Sequence, residues 1–250
     1  MSSRSLRVAT LNILNLSDRW PERLPLILAD MAALQPDALG LQEVVYVMQQ
    51  DRIIGAAGER QYRVLRAWAG RPEYGNSMLI ADDLAPSEPE RVDLGLQRSA
   101  VRTVVGDHRR RVAIVVTHLH HVPADTHQRE RQVERLIPWL DDGPEVDGLV
   151  VMGDFNAHPA EPAIDRMRTA GFRSAYAEAN GGEPDVTWPS GLQAPAVDTD
   201  GDPRCIDYIW VRGQIRVTSA RLVFDRPAVD DPTLYPSDHV GITATLDLGG

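Results

Sequence analysis

The run Gly148-Leu149-Val150-Val151-Met152-Gly153-Asp154-Phe155-Asn156 reads as a buried apolar strand that ends by presenting a carboxylate and a carboxamide two residues apart. The strand supplies rigidity and Gly153 permits a tight turn. The even spacing of Asp154 and Asn156 lets both project from one side of an extended backbone. Such a pair can hold a water and a phosphate oxygen.

The same device recurs along the chain. Leu6 to Leu11 is a short strand ending in Asn12, Ala38 to Leu41 ends in Gln42-Glu43, and Arg111 to Val116 ends in Thr117-His118. Cys205 to Val211 carries Asp207 inside a further strand, and Ser237-Asp238-His239 precedes the strand from Val240 to Leu246. If these strands are neighbours, their polar residues converge on one rim. Convergent Asp, Glu, Asn and His at a sheet edge are what a metal-assisted hydrolase needs, because oxygen ligands bind a hard cation while His and Asn stabilise a charged phosphoryl group.

The ordered series Thr10-Leu11-Asn12, Leu41-Gln42-Glu43, Gly75-Asn76-Ser77, Thr117-His118-Leu119, Gly153-Asp154-Phe155-Asn156, Ile206-Asp207-Tyr208 and Ser237-Asp238-His239 spans nearly the whole chain. In these motifs the chain resembles the endonuclease/exonuclease/phosphatase superfamily of DNase-like phosphoesterases. Leu-Gln-Glu alone carries little weight; Gly-Asp-Phe-Asn followed by Ile-Asp-Tyr and a near-terminal Ser-Asp-His is specific. The resemblance implies an α/β fold, a four-layer α/β/β/α sandwich with two central mixed sheets. It also implies hydrolysis of a phosphoester, more readily a diester than a monoester, by in-line attack of an activated water with Mg2+ or Mn2+.

By the same resemblance Glu43 is the expected metal ligand, with Asn12 in the metal and phosphate environment and Asp238 a second metal contact. Asp154 is expected to orient or deprotonate the attacking water. Asn156 is expected to steady the phosphoryl oxygens, and Asp207 to accept from His239 and fix its tautomer, so that His239 donates to phosphate. His118 is a candidate for phosphate binding or leaving-group protonation, and Asn76 and His120 for substrate contact. The resemblance does not decide whether Asp154 or the Asp207–His239 pair takes the water proton.

Plainer readings compete. Asn12 can cap a turn, and Asp154 with Asn156 can form an Asx turn. Asp207 in an apolar strand needs a partner, because an unpaired buried carboxylate is costly. His118, His120, His121 and His127 invite a zinc reading, but strand alternation puts His118 and His120 on one face and His121 on the other, and the other donors are oxygens that suit Mg2+ or Mn2+. The run Asp198 to Asp202 fails the EF-hand pattern and reads as a polar loop. Arg109-Arg110-Arg111 reads as a hairpin tip, and Arg98 fits a surface salt bridge as well as a functional role.

A chain of 250 residues with 43% apolar content can bury one large core, and motifs from both ends must meet, so residues 1–250 are expected to form a single domain. Helical spacing is read after Pro21 (Leu24, Ile27, Leu28, Met31, Leu34), from about Asp125 (Val133, Leu136, Ile137, Leu140), and more weakly over Tyr46 to Ala57 and Glu161 to Ala170. Gly181 to Pro203 reads as a long loop over the site, with Trp188 anchoring it.

The single cysteine, Cys205, excludes an intramolecular disulfide framework. The sequence shows neither a signal peptide nor a transmembrane segment, and a cytoplasmic setting is expected. A net charge of −10 argues against nonspecific wrapping of nucleic acid. The expected substrate is a phosphoester, whether a small molecule, a lipid headgroup or a nucleic acid, and no obligate protein partner is expected. A DNA or RNA nuclease is the nearer rival, and a noncatalytic phosphate-binding module the more distant one.

Overall fold

Strands with apolar residues on both faces must be covered on both faces, and the chain meets this demand by stacking two sheets. The computed structural model describes residues 5–55, 60–68, 70–106, 110–195, 197 and 201–249. One sheet runs β11 (Arg216–Val223), β12 (Gly241–Asp247), β1 (Ser5–Asn12), β2 (Ala38–Val45), β4 (Tyr74–Ala81), β3 (Tyr62–Trp68). The other runs β5 (Glu90–Gly95), β6 (Arg98–Gly106), β7 (Arg111–His118), β8 (Gly148–Asp154), β10 (Asp207–Gly213), β9 (Arg173–Ser174).

Each sheet is antiparallel except for one parallel pair at its centre. β1 pairs with β2 across a connection through α1 (Trp20–Leu34), and β7 with β8 across α3 (Thr126–Asp141). The sheets pack face to face through Leu6, Val8, Met78 and Ile80 on one side and Val112, Ile114, Val116, Val150, Met152 and Ile209 on the other. Gly40 lies in this interface, where a Cβ would meet Val116 Cγ2 at 2.8 Å, so the close approach needs glycine. α1 covers the outer face of the first sheet with Ile27, Met31 and Leu34. α3 and α4 (Pro162–Thr169) cover the second with Val133, Leu136, Ile164 and Met167. The result is a four-layer α/β/β/α sandwich with two mixed central sheets.

Period-2 alternation then decides where the motif residues point. In β1 the inter-sheet face carries Leu6 and Val8, and two-residue steps from there reach Thr10 and Asn12. In β7 the face runs Val112, Ile114, Val116 to His118, and in β8 Val150, Met152 to Asp154. β10 starts at Asp207 and continues inward with Ile209 and Val211, while β4 brings Asn76 into line with Met78 and Ile80. The apolar interior between the sheets therefore ends in a polar ring.

The helices expected from spacing are present, with one difference. The Tyr46–Ala57 segment divides into a π-helical turn, Tyr46–Gln50, and a short α2, Asp51–Gly55, with Ala57 outside the described residues. The run to Val211 becomes a strand only at Asp207, because Ile206 and Asp207 first give their backbone N–H groups to Thr187 Oγ1. Of the Arg109–Arg111 tip, Arg109 lies outside the described residues; Gly106 pairs with Arg111 as a hairpin requires. A further short helix, α5 (Ala175–Asn180), and the strands β3, β5, β9 and β11 had no clear signal in the sequence. Among the described residues no helix is long and apolar enough to cross a membrane.

Candidate active site

β8 reaches the rim through Gly153, whose φ is 144° and whose Cβ would lie 2.0 Å from the Thr117 carbonyl oxygen, a position no other residue can take. The next residue, Asp154, is 1% exposed and is the hub of the site. Its Oδ1 accepts from the Asn156 backbone N–H at 2.8 Å, and its Oδ2 accepts from Asn12 Nδ2 at 3.0 Å. Nε2 of His118 lies 3.4 Å and Nε2 of His239 3.8 Å from the same Oδ2. The Asx turn and the convergent cluster are thus one arrangement, because the turn leaves Oδ2 facing the cavity. Asn12 behaves alike: its Oδ1 caps the Leu14 N–H at 3.1 Å while its Nδ2 reaches Asp154 and, at 3.4 Å, Glu43 Oε1.

Glu43 leaves the regular strand at a bulge between Leu41 and Val44, with φ at 61°. A non-glycine residue in the left-handed region is held there against its preference, and such positions gather at functional sites. Asn156 is a second case, with φ at 50° and its Nδ2 on the Leu119 carbonyl at 3.2 Å. Glu43 Oε2 accepts from Asn15 Nδ2 at 3.0 Å. Asn15 carries a signal only in the spacing Asn12-x-x-Asn15; Tyr74, whose hydroxyl the Glu43 carboxylate influences, carries none.

Nδ1 of His239 lies 2.9 Å from Asp207 Oδ2, and both side chains are buried. Burial works against charge on the His239 ring, yet the carboxylates of Asp207, Asp238 and Asp154 and the Asp207 hydrogen bond outweigh it and hold its pKa well above the usual imidazole value. The shift favours the protonated ring, with Nδ1 turned to Asp207 and Nε2 toward Asp154. Burial, reinforced by Asp207, pushes the Asp154 carboxyl up to about 7, against the pull of His239, Asn12 and the Asn156 N–H. His118 is driven well below its ordinary value by burial and then by Arg98, His239 and His121. Arg98 Nη1 stands 2.8 Å from His118 Nδ1 and 3.2 Å from its Nε2, so the guanidinium, which can only donate, tethers the ring beside Asp154.

Arg98 also donates from Nη2 to His121 Nδ1 at 3.1 Å. Among the described residues no carboxylate lies within ion-pair distance of it, so of the two readings open for Arg98 the surface salt bridge is not the one seen. The alternation expected for the histidines also fails, because β7 ends at His118: His118 and His121 share Arg98, whereas His120 turns to Asp125, with Nε2 2.9 Å from Oδ2. His127 contacts Gln128 on the surface of α3. Asn76 is buried with its Nδ2 on the Ser99 carbonyl at 3.0 Å, in a crevice shared with Glu43 and His118.

A cavity of about 420 Å³ is lined by Asn12, Glu43, Asp154, Asn156, Asp238 and His239, with Trp188, Gly201 and Arg204 across from them. His118 and Asp207 stand behind its wall. Trp188 both anchors and lines: its backbone N–H meets the Arg204 carbonyl, its Nε1 donates to Asp238 Oδ2 at 3.3 Å, and its ring lies under the Arg204 guanidinium. Gly201 brings the loop to the cavity, while Asp198 to Asp200 of the calcium-like run lie outside the described residues.

The donor set fits a hard divalent cation. The ligand atoms of Asp154, Asp207 and His239 lie within 4.8 Å of one another, close enough to hold a metal ion, and among the described residues no other Asp, Glu, His or Cys group does so. Asp207 Oδ1 is a buried oxygen with no hydrogen-bond partner among the described residues. The carboxylates of Glu43 and Asp238 face the same cavity, and no thiolate does.

The sequence profile of the Endonuclease/Exonuclease/phosphatase family matches residues 9–239. No curated protein matches the chain at a significant level. An endonuclease/exonuclease/phosphatase from Bacteroides vulgatus is similar in structure, with a TM-score of 0.78, 22% identity and coverage of 98% of this chain and 100% of that one. D. rerio TDP2 complexed with single strand DNA product gives 0.79 at 17% identity, covering 97% and 99%. The human Nocturnin catalytic domain with bound sulfate anion gives 0.77 at 23%, covering 97% and 94%. At these identities the likeness is one of fold.

Proposed function

Since the chain belongs to the endonuclease/exonuclease/phosphatase family, we propose that it hydrolyses phosphodiesters by in-line attack of water, with Mg2+ or Mn2+ held on the Glu43 side of the cavity. The observation that carries this reading is the meeting of Asn12, His118 and His239 on one oxygen of Asp154. In this reading the cation's seat is Glu43, held in the left-handed region on the cavity wall, with Asp238 and the Asn12 carboxamide lining the same cavity. When bound, the cation would neutralise charge on the phosphoryl and departing oxygens.

The side chains then divide the work. Three carboxylates hold the proton on His239, so this ring donates from Nε2 to a phosphoryl oxygen and does not act as the base. Asp154 accepts the proton of the attacking water, and Asn12 fixes the carboxylate oxygen that does so. Asp207 orients His239, while His118, tethered by Arg98, sets its ring against the same Asp154 oxygen. Asn156 lies beside the phosphoryl position. The leaving oxygen departs on the far side of the phosphorus.

Hydrolysis of bis(4-nitrophenyl) phosphate, 4-nitrophenyl phosphate, supercoiled DNA, RNA, sphingomyelin and inositol phosphates, each with Mg2+, with Mn2+ and with chelator, tests the reading. Diester cleavage that chelator abolishes is expected; absence of any metal-dependent cleavage contradicts it. A nuclease is the second reading, favoured by arginines at the rim, Arg98 and Arg204, and nicking of supercoiled DNA distinguishes it.

A further inference from the structure

Next to the catalytic cavity lies a second one of about 700 Å³, whose titratable lining is Arg71, Tyr74, Arg98, His120 and His121. Among the described residues no carboxylate lines it, in a chain of net charge −10 whose 26 basic residues are all arginine. The nearest acids are already engaged: Glu43 at the boundary by Asn12 and Asn15, Asp125 by His120. Among the described residues Arg71 and Arg98 have no acidic partner within ion-pair distance. Arg98 spends two donors on imidazole nitrogens, Nη1 on His118 and Nη2 on His121 Nδ1. Since His121 Nδ1 accepts, its proton is on Nε2, and the ring remains a donor. Two arginines and an imidazole N–H thus line one cavity.

The two cavities are neighbours. His121 lines both, and Asn15, on the wall of the second, donates to Glu43 Oε2 at 3.0 Å. We propose that this second cavity binds another phosphoryl group of the same substrate, so that the preferred substrate carries an anionic group beside the scissile phosphodiester. Planar guanidinium forks match the oxygens of a phosphoryl group, and the apolar Leu96 and Val45 leave room for the linker between the two groups. This inference rests on the phosphoesterase reading.

A matched pair of substrates tests it: thymidine 5′-(4-nitrophenyl phosphate) and the same ester bearing a 3′-phosphate, followed by nitrophenol release. The second phosphate is expected to lower KM about tenfold. Arg71→Ala is expected to erase that gain and to leave the plain ester unchanged. A third arm, in which the 3′-phosphate is esterified to a second nucleoside, separates a terminal phosphate from one within a chain; a gain in either arm supports the subsite. No gain in both arms overturns it, as does an equal loss on all substrates in the variant. If no ester is cleaved, the phosphoesterase reading fails, and titration with inorganic phosphate in chelator still judges the cavity. Binding that persists in His239→Ala and weakens in Arg71→Ala supports it; binding indifferent to Arg71 overturns it.

Discussion

The two parallel strand pairs end at the same rim with the same device and produce opposite chemistry. The β1–β2 pairing finishes at Asn12 beside Gln42, with Glu43 next in the chain; the β7–β8 pairing finishes at His118 beside Asp154. At the first end a bulge throws Glu43 out of register, half-buried and in the left-handed region, with carboxamides as its neighbours. At the second end the register holds, Asp154 stays paired opposite Asp207, and four titratable side chains are sealed together. A strained, accessible carboxylate suits a cation, whereas a buried network fixes where protons sit. One irregular residue in a strand makes the difference.

The largest expected effect comes from breaking the tie between the two ends. Arg23, fully buried in α1, donates to six backbone carbonyls, those of Ile13, Leu14, Asn15, Ser17, Asp18 and Pro236. It thereby fastens the segment after Asn12 to the one before Ser237. Arg23→Ala should cost roughly 4 kcal/mol of stability, because buried carbonyls lose charge-assisted partners; urea unfolding measures it, and a change below about 1 kcal/mol would deny Arg23 that role.

Next come the proton-holding residues. Asp154→Asn and His239→Ala should each lower turnover on a diester at least about a hundredfold, with the unfolding midpoint retained to show that the fold survives. Glu43→Gln should instead weaken metal affinity, by about tenfold or more, and be partly rescued by raising the metal concentration. If Glu43→Gln lost rate with unchanged metal affinity, the division between the two ends would be wrong.

The smallest effects are in pH. Asp207 raises the His239 pKa, so Asp207→Asn lowers it and should move the alkaline limb of the rate profile to lower pH. With its carboxyl pushed up to about 7 in the metal-free protein, Asp154 is protonated below that pH, and a cation nearby favours the ionised form. Metal binding should therefore release protons and weaken as pH falls below about 7; calorimetry in buffers of different ionisation enthalpy counts them.

Most of the candidate site's geometry was legible because period-2 strands ending in polar residues leave a plain trace: Asn12, His118, Asp154 and Asp207 each extend the buried face of an apolar run. What it did not carry was less periodic. β5 and β11 are edge strands with mostly solvated side chains, so neither shows an apolar run. Arg23 resembles any surface arginine of an amphipathic helix until its carbonyl partners fold around it. The histidine faces do not follow strand alternation, because β7 stops at His118.

Anomalous scattering from crystals grown with Mn2+ tests the central division most directly. The account predicts an ion about 2.2 Å from a Glu43 carboxylate oxygen, with the His239 ring unligated. An ion seated among Asp154, Asp207 and His239, with Glu43 unligated, would contradict it.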